Sequence, residues 1–348
     1  MTVKKTRFLL AVMFSMLLFF PAAGMADSAF FDPMPGYAAN DILTGVSFGG
    51  YDTFGSSVVG WGNGSLNVYD KTGGVTKALG APTGYSGYWN SFVRLDPSGT
   101  SAWVGFTVGG NTDDRIYQVD FATSTWTHKA TMASNFDMEF YGGNPFVSGL
   151  NSTNWNDPTS IWLLDTFGNN NHDKIVELRG NSAGLAFDGS GNAYYGTYDG
   201  YGVAGELFRW DATSVAGAIG GGHLAIADGT KLSDIELSAY DTDIDDAGNV
   251  LFNGNGSYVY TAIWNGTEGD GYNYDYIGVG DPSGSGWNWF TFIDSEGNVT
   301  EVDGGALYQT DSAAYGIAKV NAVPIPGAVW LLGSGLLGLI GIRSRRVR

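Results

Sequence analysis

Apolar positions along the middle of the chain come in short runs rich in Tyr, Phe, Trp and Val. Each run is closed by Gly, Asn, Asp, Ser or Thr, and the 54 glycines are spread throughout. Short β-branched and aromatic runs bounded by turn residues predict strands. The stretch nearest to helical periodicity is "TSVAGAIGGGHLAIA", and its glycines are expected to break it. The pattern therefore predicts an all-β fold.

Two signals recur in register. The first is an Asp, a Gly turn and a following strand: "DPSGTSAWVGF" from Asp96, "DGSGNAYYGTY" from Asp188, "DDAGNVLFNGN" from Asp245 and "DSEGNVTEVDG" from Asp294. Glycine supplies the positive φ of such a turn, and the Asp side chain bonds its own backbone two residues on. The second is an aromatic–apolar run closing on Asp or Asn. It ends at Asp70, Asp120, Asp165, Asp211 and Asn265, spacings of 50, 45, 46 and 54, with a degenerate copy at Asp311. A unit of about 45–50 residues with about four strands is a propeller blade, because a blade buries its faces only against its neighbours. Six such units predict a six-bladed β-propeller over residues 27–322. The alternative, a β-sandwich, predicts no such period. Ring closure is expected to pair residues 42–48 with residues 315–320. The D-x-x-G-N turns and the strands after them resemble NHL-repeat and gluconolactonase-type six-bladed propellers, a likeness of pattern that implies fold rather than activity.

Both ends depart from this pattern. Lys4, Lys5 and Arg7 precede the apolar "FLLAVMFSMLLFF", and small residues at Gly24 and Ala26 offer a cut between Ala26 and Asp27. This reads as a signal peptide over 1–26, cleaved by signal peptidase. The alternative is an uncleaved anchor, for which the run is short against the about 20 residues of a span. At the other end Pro324 and Pro326 cannot donate to a ladder. "AVWLLGSGLLGLIGI" (328–342) follows, then Arg343, Arg345, Arg346 and Arg348. Counted from Val323, the apolar stretch reaches the about 20 residues needed to cross a bilayer. Arginines beside a span stay cytoplasmic, which leaves the bulk of the chain outside.

Val323, Pro324, Pro326 and Gly327, then the apolar segment, then the Arg cluster, resemble a PEP-CTERM sorting signal of the VPLPA type. Ile325 replaces the usual Leu or Glu, and Gly327 stands where Ala is common. The resemblance implies that these four residues are recognised by an exosortase. It implies that residues 328–342 are a transient inner-membrane span and that the arginines form its stop-transfer end. It further implies a Gram-negative cell envelope or matrix rich in exopolysaccharide and biofilm. The alternative is a plain membrane anchor that is never processed.

Charge narrows the partners. Three of the 17 basic residues lie in the leader and four in the tail, leaving ten against all 35 acidic residues in the middle, a net of −25. Such a domain repels nucleic acid and anionic headgroups. The chain has no cysteine, which excludes thiol nucleophiles and thiolate metal sites.

Few constellations carry chemistry. Asp241, Asp243 and Asp245 alternate like the start of a Ca2+ loop, but Asp246 occupies the position of the turn glycine and Phe252 that of the bidentate Glu. A solvated acidic loop is the other reading, and no other cofactor is expected. His128, His172 and His223 fall in no base or ligand motif, and no serine-hydrolase nucleophile element is expected. Glu139 and Glu206 read as isolated carboxylates, not the pair that glycoside chemistry needs. The aromatic run 264–292 offers Tyr272, Tyr274, Trp287 and Trp289 as a sugar-binding surface, with ordinary packing as the alternative. The expectation is an exported, non-catalytic binding or structural protein with polysaccharide or matrix partners. The competing expectation is a lactonase- or lyase-like propeller enzyme with a divalent metal in its central channel.

Overall fold

A computed structural model describes residues 48–235 apart from short loop segments, and outside that range only strands within 31–43 and 241–319. The leader with Ala26 and Asp27, and the tail from Val323 to Arg348, lie outside the described residues. Among the described residues no helix is long and apolar enough to cross a membrane.

The first elements among the described residues are β1 (Phe31–Pro33) and β2 (Tyr37–Leu43). The first sheet follows in sequence: β3 (Phe48–Phe54), β4 (Ser57–Gly62), β5 (Ser65–Tyr69) and β6 (Val75–Gly80). The second is β7 (Trp89–Leu95), β8 (Ser101–Thr107), β9 (Arg115–Asp120) and β10 (Trp126–Thr131). The third is β11 (Asn135–Tyr141), β12 (Asn144–Leu150), β13 (Thr159–Leu164) and β14 (His172–Glu177). The fourth holds β15 (Leu185–Phe187), β16 (Ala193–Gly196) and β17 (Gly205–Trp210). Its connection carries α1 (Ala212–Ile219) and β18 (Leu224–Ala225) before the outer strand β19 (Thr230–Ile235). The fifth is β20 (Asp241–Ile244), β21 (Val250–Asn253), β22 (Tyr258–Ile263) and β23 (Asn273–Gly280). The sixth contains β24 (Trp289–Phe292) and β25 (Ala314–Lys319).

These strands form six sheets among the described residues, four of them antiparallel throughout. The third sheet gains β18 as a short parallel edge strand on β14, and the fifth gains β1 on β23. In the sixth, β25 lies between β2 and β24. The first strands touch in order around the chain: β3 with β7, β7 with β11, β11 with β15, β15 with β20, and β20 with β24. A sheet packed this way on its predecessor and its successor is a propeller blade, not one layer of a two-sheet sandwich.

Both sequence signals fall at fixed places in this plan. The runs ending at Asp70, Asp120, Asp165, Asp211 and Asn265 coincide with the third strands β5, β9, β13, β17 and β22. The Asp turns at Asp96, Asp188, Asp245 and Asp294 follow the first strands β7, β15, β20 and β24. Where the turns are described they have the expected geometry. Asp96 Oδ1 accepts the Ser98 amide at 2.9 Å and Gly99 has φ 67°. Asp188 Oδ1 accepts the amides of Ser190 and Asn192, each at 2.9 Å. The Asp that closes a third strand has its own use. Asp120 Oδ1 takes the Thr123 amide at 2.8 Å, and Asp211 Oδ1 takes the Ser214 amide at 3.0 Å. These backbone donors hold both carboxyls below the usual range.

Two expectations change. Residues 212–219 do form a helix, because Asp211 caps its N-terminus and Gly220 ends it before the glycine run. The termini do pair, but β25 meets residues 37–43, in register from Tyr37↔Lys319 to Leu43↔Ala314. The apolar run 42–48 is divided: Ile42 and Leu43 finish one strand, and Phe48 opens the first sheet.

The core is a series of seams between consecutive sheets. Val59, Trp61, Val93, Val104 and Phe106 fill the first seam. Phe92, Trp103, Met138 and Val147 fill the second. Phe146, Ile161, Leu185, Tyr195 and Trp210 fill the third. At the rim of the third seam Tyr141 stacks on Phe187, ring centroids 5.4 Å apart and 10° from parallel. Gly191 makes this stacking feasible: its φ is 92°, and a Cβ there would meet Tyr141 Oη at 2.1 Å. Gly191→Ala is therefore expected to cost about 1–3 kcal/mol through strain and displacement of the ring. Gly189→Ala, with nothing within 4 Å of its Cβ, should be near neutral. Urea unfolding midpoints of the two variants check this.

Candidate functional site

First strands are apolar runs interrupted by charge: Asp52 in "FGGYDTF", Arg94 in "WNSFVRL", Asp137 and Glu139 in "NFDMEFY". Asp52, Arg94 and Asp137 are buried, at 1%, 3% and 2% exposure, whereas Glu139 keeps 18%. Alternation along a strand puts Asp137 and Glu139 on one face of β11 and Met138 on the other, in the second seam.

Arg94 reaches across from β7 to this face. Its Nε donates to the Met138 carbonyl at 2.6 Å, and one terminal nitrogen lies 3.7 Å from Asp137 and 3.4 Å from Glu139. Asp137 also accepts two backbone amides, those of Met138 and Leu185, each at 2.7 Å. The second of these belongs to β15, so the carboxylate reaches the next sheet. Asp52 does the same one sheet earlier, accepting the Leu95 amide at 2.7 Å. Charged side chains on first strands thus link the first four sheets in succession.

Desolvation dominates the electrostatics. Burial raises Asp137, opposed by the Arg94 charge and by its amide donors. Burial raises Glu139 to about 8, again opposed by Arg94, with Asp137 and Asp52 adding repulsion. One guanidinium therefore serves two carboxyls, and at neutral pH Glu139 holds its proton. A partly exposed carboxyl in this state could pass a proton. Within the described geometry, however, its neighbours hold sheets together.

A second polar cluster lies toward the start of the same strands. Ser91 Oγ donates to Asn135 Oδ1 at 2.6 Å, and Asn135 Nδ2 to the Phe106 carbonyl at 3.0 Å. Thr107 Oγ1 and the Ser134 amide both bond Asp114 Oδ2, at 2.7 and 2.8 Å. Gly105 permits the close approach, since a Cβ there would meet Asn135 and Ser91 at 2.4 and 2.5 Å.

The sequence candidates separate as follows. Asp241 and Asp243 lie in β20, the first strand of the fifth sheet, paired with Asn253 and Leu251, and Asp245 lies outside the described residues. No group of three His, Asp or Glu side chains capable of holding a metal occurs among the described residues. Tyr274 is in β23 and Trp289 in β24, described as backbone only, whereas Tyr272 and Trp287 lie outside the described residues. His128 is exposed on β10, set edge-on to Tyr117 and lowered by desolvation and by Arg115. His172 opens β14 rather than lying in a loop, and His223 Nδ1 contacts the Lys174 carbonyl at 2.7 Å. Glu139 and Glu206 are not isolated. Glu139 joins Arg94, and Glu206 pairs with Lys231 of the adjacent strand at 2.8 Å, so each has a cation and the two do not serve one site. A G-x-S-x-G string does occur, Gly180 to Gly184, and the described elements on either side of it are both strands, β14 and β15. Sequence reasoning missed Asp52, Arg94 and Asp137. Their signal was charge inside an apolar run just before a turn.

No family model matches the chain, and no curated protein matches it. Solved structures with a similar arrangement include the tricorn protease, at 13% identity and TM-score 0.46, covering 67% of this chain and 22% of that one. The chain thus spans about a fifth of that protein's length. Another is the Cps50 (Swd1) beta-propeller domain of Myceliophteria thermophila, at 11% identity and TM-score 0.45, covering 81% of this chain and 89% of that one. A third is the calcium-binding protein regucalcin of Agrobacterium tumefaciens, at 16% identity and TM-score 0.43, covering 74% and 91%. The class that the sheets themselves define is the β-propeller.

Removing Arg94 would strand two carboxyls in the seam. Arg94→Ala should cost about 3–5 kcal/mol. Adding Asp137→Asn and Glu139→Gln should recover part of that loss. A coupling of about 0.5–3 kcal/mol, read from urea unfolding of the single and combined variants, is the expected outcome.

Proposed function

We propose that the chain is an exported six-bladed propeller that acts as a non-catalytic binding or structural protein of the cell envelope or extracellular matrix. On this reading it is sorted by an exosortase-type enzyme. The observation that carries the proposal is the order Val323-Pro324-Ile325-Pro326-Gly327, an apolar span and four arginines, joined to a leader with a basic start and a small-residue cut site. Two independent features support export: the leader, and the charge rule that puts the arginines inside.

The fold is compatible with this route. On this reading the sheets found in succession among the described residues are its blades, and β2 pairing with β25 ties the start of the domain to its end. β25 ends at Lys319, so three residues join it to Val323. Counted to the start of the span at 328, eight residues form the link, which reaches at most about 28 Å and would keep the propeller near the membrane until the tail is cut or exchanged. The net charge of the middle, −25, suits a domain that stands off an anionic surface once released. Polysaccharide is the partner best suited to aromatic side chains beside Asn and Asp, and Tyr272, Tyr274, Trp287 and Trp289 are its candidate contacts.

Mass spectrometry of the protein from a host with the sorting enzyme should find a mature N-terminus at Asp27 and a C-terminus near Gly327. Pro324→Ala with Pro326→Ala should leave the tail on. A full-length cytosolic polypeptide with both ends intact would overturn the proposal. A stoichiometric divalent ion in the purified protein would favour the lactonase- or lyase-like enzyme instead.

A further inference from the structure

The charge cluster that joins the first strands of the second and third sheets has more acid than base, and its members sit on elements that move apart if that joint opens. We propose that Arg94, Asp137 and Glu139 form an alkaline-sensitive clasp, in which one guanidinium joins two first strands and ionisation of Glu139 loosens the joint.

The geometry sets the asymmetry. Asp137 is anchored to both neighbours, by Arg94 on one side and by the Leu185 amide on the other. Asp52 is anchored by the Leu95 amide. Glu139 has the Arg94 contact at 3.4 Å and the amide of the next residue, Phe140, at 2.7 Å. It is also the member that retains contact with solvent, so it is the one able to exchange its proton. The ionisable groups facing it are few. β7 contributes Arg94, and β3 contributes Asp52 through its field. β8, β12 and β15 pack on β11 and carry no ionisable side chain. Lys129 lies over the Trp103 ring, 5.0 Å from its centroid, in the second seam and so on the face of β11 away from Glu139. When Glu139 is charged, two carboxyls share one guanidinium and Asp52 adds to the repulsion on Glu139.

The sign follows from linkage. The closed seam holds the Glu139 carboxyl at about 8, and an opened seam returns it to its ordinary 4.5. Between those limits opening releases a proton, so stability of the seam falls as pH rises from about 4.5 to about 8 and is level above. One proton released makes the opening constant rise about tenfold per pH unit inside that window. The clasp therefore tightens in acid and slackens in base. It does not depend on whether the tail is processed.

Amide hydrogen exchange of the full-length chain from pH 5 to pH 9 tests this, read on the peptides spanning 89–95 and 135–141. Base-catalysed exchange alone accelerates about tenfold per pH unit. The wild-type seam should accelerate about tenfold more than that per unit up to pH 8. Glu139→Gln should remove the extra acceleration and leave peptides of the first seam unchanged. Equal slopes in wild type and variant would sink the clasp. If the variant does not fold, carbon-13 titration of wild-type side-chain carboxyls decides: a Glu139 midpoint near 8 supports it, and one near 4.5 overturns it.

Discussion

No single four-stranded sheet here can bury its own faces, and that constraint shapes the rest of the molecule. β8 has every residue buried, which requires a neighbouring sheet on each side. Each seam holds on the order of ten apolar side chains, and a fully buried Val, Leu, Ile or Phe contributes about 1.5–3 kcal/mol. The aromatic content follows from the same need. Trp61, Trp103 and Trp210 span the gap between two twisted sheets where aliphatic chains would leave voids.

Placing charge in such a seam is costly, so its arrangement is informative. Asp52, Arg94 and Asp137 occupy first strands, where consecutive sheets approach most closely, and each ends on the backbone or side chain of the following sheet. Apolar packing is tolerant of sliding. Directional bonds from fixed strand positions are not, and they set the register of one sheet on the next. Excess carboxyl in that joint then makes its strength respond to pH.

The ends of the domain belong to the same economy of edges. β1 covers the outer edge of the fifth sheet, and β2 completes the sixth beside β25. An N-terminal segment that fills two open edges removes sites where another chain could pair. It also makes the sixth sheet depend on residues drawn from both ends of the chain, so that sheet cannot form until the rest of the domain is present.

Turn and strand chemistry was local, and the sequence alone determined it. An Asp two residues before its own amide partner, a glycine with positive φ and a run of β-branched and aromatic residues act within one hairpin, so Asp96, Asp188 and the spacing of the third strands could be read directly. Helix α1 was misjudged because a single cap, Asp211, outweighed Gly217 within it, and the remaining glycines, Gly220 to Gly222, fall after its last turn. Contacts between sheets were decided only by the tertiary structure. Arg94 and Asp137 are 43 residues apart, Asp52 and Leu95 another 43, and Asp137 and Leu185 48. No local periodicity says which charged residue of one sheet will face which of the next. That choice depends on how two twisted sheets pack, and with it came the burial that turns an ordinary Glu139 into a proton-holding group.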